Sequence, residues 1–175
     1  MKIALIGYSG AGKSTLAKRL AEIYKIPLLY LDTVQFESDW QEREKAQAQK
    51  IVRNFMQENK NWVIDGNYKK FYQEERLQQA QQIVFFNFPR RVCVWQAFMR
   101  YLQYKNKVRE SSANGCTEKF DFEFISWLLY GGRTKKYKQN YAAIKAAYPH
   151  KTVELKNRKQ VQTFLRQTLE AKRDF

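Results

Sequence analysis

Gly7-Tyr8-Ser9-Gly10-Ala11-Gly12-Lys13-Ser14, with Thr15 directly after, sets glycines, a lysine and a hydroxyl in the spacing G-x-x-x-x-G-K-[ST]. Glycines at these positions let the backbone turn tightly, so that consecutive amide N–H groups converge on phosphate oxygens. Lys13 is the point charge for the outer phosphates, and the Ser14 hydroxyl is a ligand for a magnesium ion. The pattern needs a strand before it and a helix after it. Lys2-Ile3-Ala4-Leu5-Ile6 is a short apolar run of the buried-strand kind, and Lys13 to Lys25 reads as a helix whose start adds its own partial positive charge. The expected ligand is a nucleoside triphosphate, held as Mg·ATP, although nothing in the pattern reads the purine.

Two carboxylates stand where a second substrate would meet that loop. Leu28-Leu29-Tyr30-Leu31 reads as a strand and delivers Asp32 at its carboxyl end; Trp62-Val63-Ile64 reads as another and ends in Asp65-Gly66-Asn67-Tyr68. In open parallel sheets the carboxyl edge is where ligands bind. Two further strands follow, Ile83 to Phe88 and Lys151 to Leu155, and helical spacing recurs over 42–59, 90–104, 120–130, 134–148 and 158–172. Tyr68 to Gln82 reads as a short helix, and 33–41 as a loop or broken helix over the substrate side. Strands alternating with helices predict a single α/β domain over 1–175, three layers deep, with a mostly parallel five-stranded sheet.

The longest stretch without a period is Lys105 to Lys119, basic at its start and then rich in small polar residues. A loop of that length inside a compact domain is usually functional or disordered. Arg90 opens a helix, where a cation is unfavourable, so an anion partner is the better reading; Arg133 is read as lining the phosphate site. Val94, Trp95, Phe98 and Leu102 fall on the inner face of their helix. They and the other aromatics, Trp127, Tyr130 and Tyr141, are expected in the core. Cys93 reads as a buried small residue, Cys116 as a loop residue, and two cysteines exclude a cysteine-built zinc site.

The chain carries 32 Lys and Arg against 17 Asp and Glu, a net charge of +15, with an isoelectric point near 9.8. Such a field draws polyanions, nucleotides and nucleic acids alike. No run is apolar enough to cross a membrane and no apolar leader precedes the first strand, which predicts a cytoplasmic protein without membrane contact. The oligomeric state is not legible.

These residues resemble the adenylate-kinase-like P-loop kinases. More narrowly, Leu31-Asp32, Trp62 to Tyr68, Phe88-Pro89-Arg90, Gly115-Cys116 and Phe120-Asp121 resemble the FlaR-type DNA topology modulation proteins, a branch of those kinases. The resemblance implies the three-layer P-loop NTPase fold with strand order 2-3-1-4-5. It also implies a helical, mobile lid insertion at about 105–119 and an acceptor region after Asp32. Arg100 and Arg109 become lid-side arginines for the transferring phosphoryl group.

Two departures from the adenylate-kinase pattern matter. Asp65-Gly66-Asn67-Tyr68-Lys69 replaces Asp-Gly-Phe-Pro-Arg, so acceptor recognition by Asp65, Asn67, Tyr68 and Lys69 has changed. Asn87 ends the fourth strand, which leaves Asp32 and Asp65 for the magnesium water shell or for general base work, with Asp32 preferred as the base. The leading expectation is transfer of the γ-phosphoryl of ATP to a small acceptor, with a nucleoside or nucleotide among the candidates. The competing one is a nucleic-acid-binding regulator with a nucleotide switch, which the net charge favours and no motif supports. A plain nucleotide hydrolase is a third.

Overall fold

The structure is a computed structural model that describes residues 1–105, 109–113, 115–118 and 120–173. Five strands, β1 (Lys2–Gly7), β2 (Leu28–Tyr30), β3 (Trp62–Asp65), β4 (Gln82–Phe86) and β5 (Thr152–Leu155), form one sheet in the order β2-β3-β1-β4-β5. Every pairing is parallel. The expected fold class and strand order are therefore observed.

The helices are α1 (Lys13–Tyr24), α2 (Leu31–Gln35), α3 (Lys45–Glu58), α4 (Gln73–Gln79), α5 (Arg90–Tyr104), α6 (Phe122–Leu129), α7 (Lys135–Ala147) and α8 (Arg158–Arg173). Short 3-10 turns lie at Ser38–Trp40 and Gly131–Arg133. Side chains alternate across each strand, so β1 feeds two cores at once. Ala4 and Ile6 pack with Val52, Ile64, Phe71 and Phe85 under α3, α4 and α7. Ile3 and Leu5 pack with Leu16, Leu20, Val84 and Phe164 under α1 and α8. Burial on both faces is why these strands read as continuous apolar runs.

At the end of β1 the chain must pass between β4 and the start of α5. Gly7 has φ +130°, and a Cβ there would overlap the Phe86 backbone; Gly10 has φ +73°, and a Cβ would lie 2.6 Å from the Cys93 carbonyl oxygen. Side chains larger than hydrogen are excluded at both positions by conformation and by space. The close approach of α5 also explains its small inner residues, Cys93 and Ala97, which are buried.

That packing corrects the reading of α5. Trp95 is 61% exposed and Leu102 53%, and beyond α5 Tyr130 is 65% exposed, while Tyr141 is buried as expected. Helical periodicity identifies an apolar face without saying whether anything covers it. Two strands also stop earlier than read. β2 stops at Tyr30, so that Asp32 sits in the first turn of α2, and β4 stops at Phe86, two residues before Phe88. Residues 42–44 precede α3 rather than opening it. Glu42 bridges to Phe36 in antiparallel fashion, and the Glu44 carboxylate caps the helix by accepting from the Gln47 N–H at 2.8 Å.

Candidate active site

The loop between β1 and α1 carries the first half of the site. Lys13 Nζ donates to the Tyr8 carbonyl at 2.9 Å, folding the lysine back over the loop. Ser14 Oγ donates to Asp65 Oδ2 at 2.6 Å. The sheet register makes that contact. Leu5 of β1 pairs with Asp65 of β3, so the last residue of β3 lies beside the strand that opens into the loop.

Asp65 is 6% exposed, and its Oδ1 has no hydrogen-bond partner among the described residues. Burial pushes its pKa up to about 6, against the lowering pull of Lys13 and of the Ser14 hydroxyl. A buried carboxylate with one orphaned oxygen, bonded through the other to the loop serine, is a donor set that suits a hard divalent cation. Magnesium commonly takes one or two such ligands and keeps waters and phosphate oxygens for the rest. No group of three His, Cys, Asp or Glu that could hold a metal occurs among the described residues, which is compatible with that sparse mode.

The raised pKa has a definite sign in the ligand-free protein. Folding favours protonated Asp65, so its contribution to stability is complete below the ordinary carboxylate range near 4 and is lost as pH rises through about 6. Asp65→Asn keeps an acceptor for Ser14 without the buried charge. It should therefore unfold at higher denaturant than wild type at pH 8 and lose that advantage at pH 4, measured by urea unfolding at both.

The second half of the site comes from the segments after β2 and β3. Tyr68 donates its hydroxyl to Asp32 Oδ1 at 2.8 Å; burial, with Asp32 next in weight, pushes the Tyr68 phenol far up, so it stays a donor. Asn67 donates to the Tyr141 hydroxyl at 2.7 Å and accepts from Gln73 Nε2 at 2.6 Å. Arg76, fully buried in α4, holds this segment from behind. It donates to the carbonyls of Phe71, Gly66 and Tyr68 at 2.7, 3.3 and 2.9 Å. Burial lowers its pKa to about 10, and Asp65 offsets part of that fall. Arg76→Met would strand these acceptors at roughly 1–3 kcal/mol each, partly offset by removing a buried charge. A net loss of about 2–4 kcal/mol in unfolding free energy is the expected result of a denaturant titration.

Two arginines also line the cleft. Arg100 Nε donates to Glu118 Oε2 at 2.8 Å, and Arg109 Nε donates to Glu118 Oε1. The Glu118 side chain is only 3% exposed. The terminal nitrogens of Arg109 go to the hydroxyls of Ser111 and Ser112 at 3.0 and 3.2 Å. Burial lowers the Arg100 pKa, with Arg109 adding to the fall and Glu118 opposing it. The segment that carries Glu118 is tied to the acceptor side as well. Cys116 Sγ donates to the Glu37 carbonyl at 3.0 Å and accepts from the Trp40 N–H at 3.2 Å. Within the expected lid span 105–119, residues 106–108, 114 and 119 lie outside the described residues.

All eight phosphate-loop candidates, Gly7 and Ser9 to Thr15, line one cleft of about 1710 Å³ together with Asp32, Asp65, Asn67, Tyr68, Arg100 and Arg109. Three candidates are placed elsewhere. Arg133 is buried beneath the loop, its guanidinium 3.8 Å from the Tyr8 ring centre, and donates to the Phe88 carbonyl at 2.8 Å. It supports the loop and does not line the cleft. Arg90 lies 5.9 Å from the Tyr130 ring on an exposed surface, and Lys69 is exposed away from the cleft. Arg76 and Glu118 carry no signal in the sequence, and Tyr141 is legible there only as a core aromatic.

Among solved structures, a shikimate kinase from Acinetobacter baumannii in complex with shikimate matches with TM-score 0.56 at 18% identity, covering 97% of this chain and 93% of that one. A gluconokinase from Sinorhizobium meliloti 1021 matches with TM-score 0.55 at 12% identity, covering 99% and 91%. A shikimate kinase from Bacteroides thetaiotaomicron matches with TM-score 0.50 at 19% identity, covering 98% and 97%. At these identities the likeness is one of fold. No curated protein sequence matches the chain. No helix among the described residues is long and apolar enough to cross a membrane. Residues 1–120 match the profile of the family described as ABC transporter, and since that span covers more than half of the 175 residues, the chain belongs to that family of P-loop NTPase domains.

Proposed function

We propose that the chain is a P-loop phosphotransferase that moves the γ-phosphoryl of ATP to the hydroxyl of a small acceptor, in a cytoplasmic setting. The observation that carries the reading is a full phosphate loop whose Ser14 bonds Asp65, with Asp32 lining the same cleft. The resemblance of its motifs to the FlaR-type branch of the adenylate-kinase-like kinases is consistent with that reading. The fold neighbours, shikimate kinases and a gluconokinase, support a small-molecule acceptor over a macromolecular one.

In this reading the loop amides and the start of α1 hold the β- and γ-phosphates, and Lys13 leaves the Tyr8 carbonyl to neutralise them. Ser14 and Asp65 would hold magnesium, which supplies charge neutralisation across the phosphate oxygens. Tyr68 fixes one oxygen of Asp32, and the other accepts the proton of the acceptor hydroxyl. The freed electron pair forms the new O–P bond as the bond to the leaving ADP oxygen breaks. Arg100 and Arg109 take up the charge spread over the phosphoryl oxygens, and residues 105–119 act as a lid that excludes water within one domain.

Incubation with Mg·ATP and a panel of hydroxyl compounds, followed by separate assay of ADP, free phosphate and phosphorylated acceptor, tests this. The expected result is ADP matched by phosphorylated product. ADP matched by free phosphate throughout the panel would make the protein a hydrolase.

A further inference from the structure

The cleft has two ends of opposite character. The donor end is built from amides, Lys13 and a helix start. The end supplied by the segments after β2 and β3 is lined by Asp32, Phe36, Trp40, Asp65, Asn67 and Tyr68. It contains two acids, three aromatic rings and, among the described residues that β2, β3 and these segments contribute to the cleft, no cation.

Arg43, Lys70 and Arg76, nearby in sequence, are committed elsewhere, and Lys69 is exposed and does not line the cleft. Arg43 donates through Nε to the Val34 carbonyl at 3.0 Å and pairs with Glu37 at 3.0 Å; Lys70 pairs with Glu42 at 3.6 Å; Arg76 is spent on backbone carbonyls. Across the cleft, Arg100 and Arg109 share the single buried charge of Glu118. The pair therefore presents a net of about one positive charge, which the transferring phosphoryl group itself requires.

An anionic acceptor would have to leave water and settle beside Asp32, on a wall to which the described residues of these segments bring no cation; Asp65 is already committed to Ser14, and Arg100 and Arg109 are shared with Glu118. Like charges brought together at a binding surface cost several kcal/mol. A neutral ring compound meets better chemistry. Phe36 and Trp40 sit edge to face at 5.3 Å, and Tyr68 tilts against Phe71 at 5.3 Å, giving apolar faces beside a carboxylate held ready by a tyrosine hydroxyl. Asn67, fixed by Tyr141 and Gln73, belongs to the same wall.

We propose that the acceptor is an uncharged, hydroxyl-bearing ring compound of the nucleoside class, and that the acceptor end of the cleft discriminates against phosphate- or carboxylate-bearing analogues. The inference rests on the phosphotransferase reading above and adds the charge and shape of what is phosphorylated. Phosphorylation would thereby convert a neutral molecule into an anion that the same site repels, which favours product release.

The test is calorimetric titration of the protein, saturated with magnesium and a non-hydrolysable ATP analogue, with the common nucleosides and with their 5′-monophosphates. The expected result is a nucleoside that binds about tenfold or more tightly than its monophosphate, with the gap narrowed in Asp32→Asn. A monophosphate that binds as tightly or more tightly overturns the inference. So does failure of every nucleoside to bind while the ATP analogue binds normally. Failure of the ATP analogue itself would instead remove the phosphotransferase reading on which the inference stands.

Discussion

Lys13→Ala should lower ATP turnover by about 10²–10³-fold or more, the scale seen when a single preorganised charge or donor at a developing negative charge is removed. The lysine is partly exposed and its one hydrogen bond is to a carbonyl of its own loop, so the fold loses little with it. Thermal unfolding of the variant should match wild type. Turnover measured by ADP formation separates the outcomes: wild-type rates in a folded variant would mean that the lysine does not touch the transferred phosphate.

Asp32→Asn should lower kcat for phosphoryl transfer by about 10²–10⁴-fold, the range for loss of a positioned general base, with the KM for ATP nearly unchanged. Asparagine keeps an acceptor for the Tyr68 hydroxyl, so the wall of the cleft should stay in place while the proton acceptor is lost. Asp32 is exposed and sits in the first turn of α2, on a different segment from the phosphate loop. A variant that loses ATP binding instead would place Asp32 at the donor end, and one with full kcat would show that the acceptor needs no base there.

The phosphate loop was legible because its constraints are local. Gly7 and Gly10 stand where φ is positive and a neighbouring backbone leaves no room, and those demands appear directly as residue type. The sheet was legible because doubly covered strands read as apolar runs, and its order followed from the resemblance. The contacts that arm the site were not, since they depend on register and on distant partners. Nothing in Trp62 to Asp65 announces that Asp65 will meet Ser14; the pairing of β3 with β1 decides it.

Arg76 was invisible for a related reason. It satisfies backbone carbonyls, which carry no sequence signal, and in α4 it looks like any charge on a solvated face. Glu118 lies in an aperiodic stretch, and only its buried position between Arg100 and Arg109 distinguishes it from a surface acid. Arg133 shows the opposite error. Arg133 is read from sequence as lining the phosphate site, whereas its guanidinium lies over the Tyr8 ring beneath the loop. In α5, spacing alone placed Trp95 inside, although the close approach of the loop leaves room there only for Cys93 and Ala97.

Phosphoryl transfer by this chain depends on the first glycine-rich turn holding a magnesium-bound nucleoside triphosphate. Isothermal titration of the purified protein with Mg·ATP tests it most directly. A saturable heat with one site per chain, lost in Lys13→Ala and weakened in Asp65→Asn, is the predicted result. No heat from folded wild-type protein would contradict the account at its root.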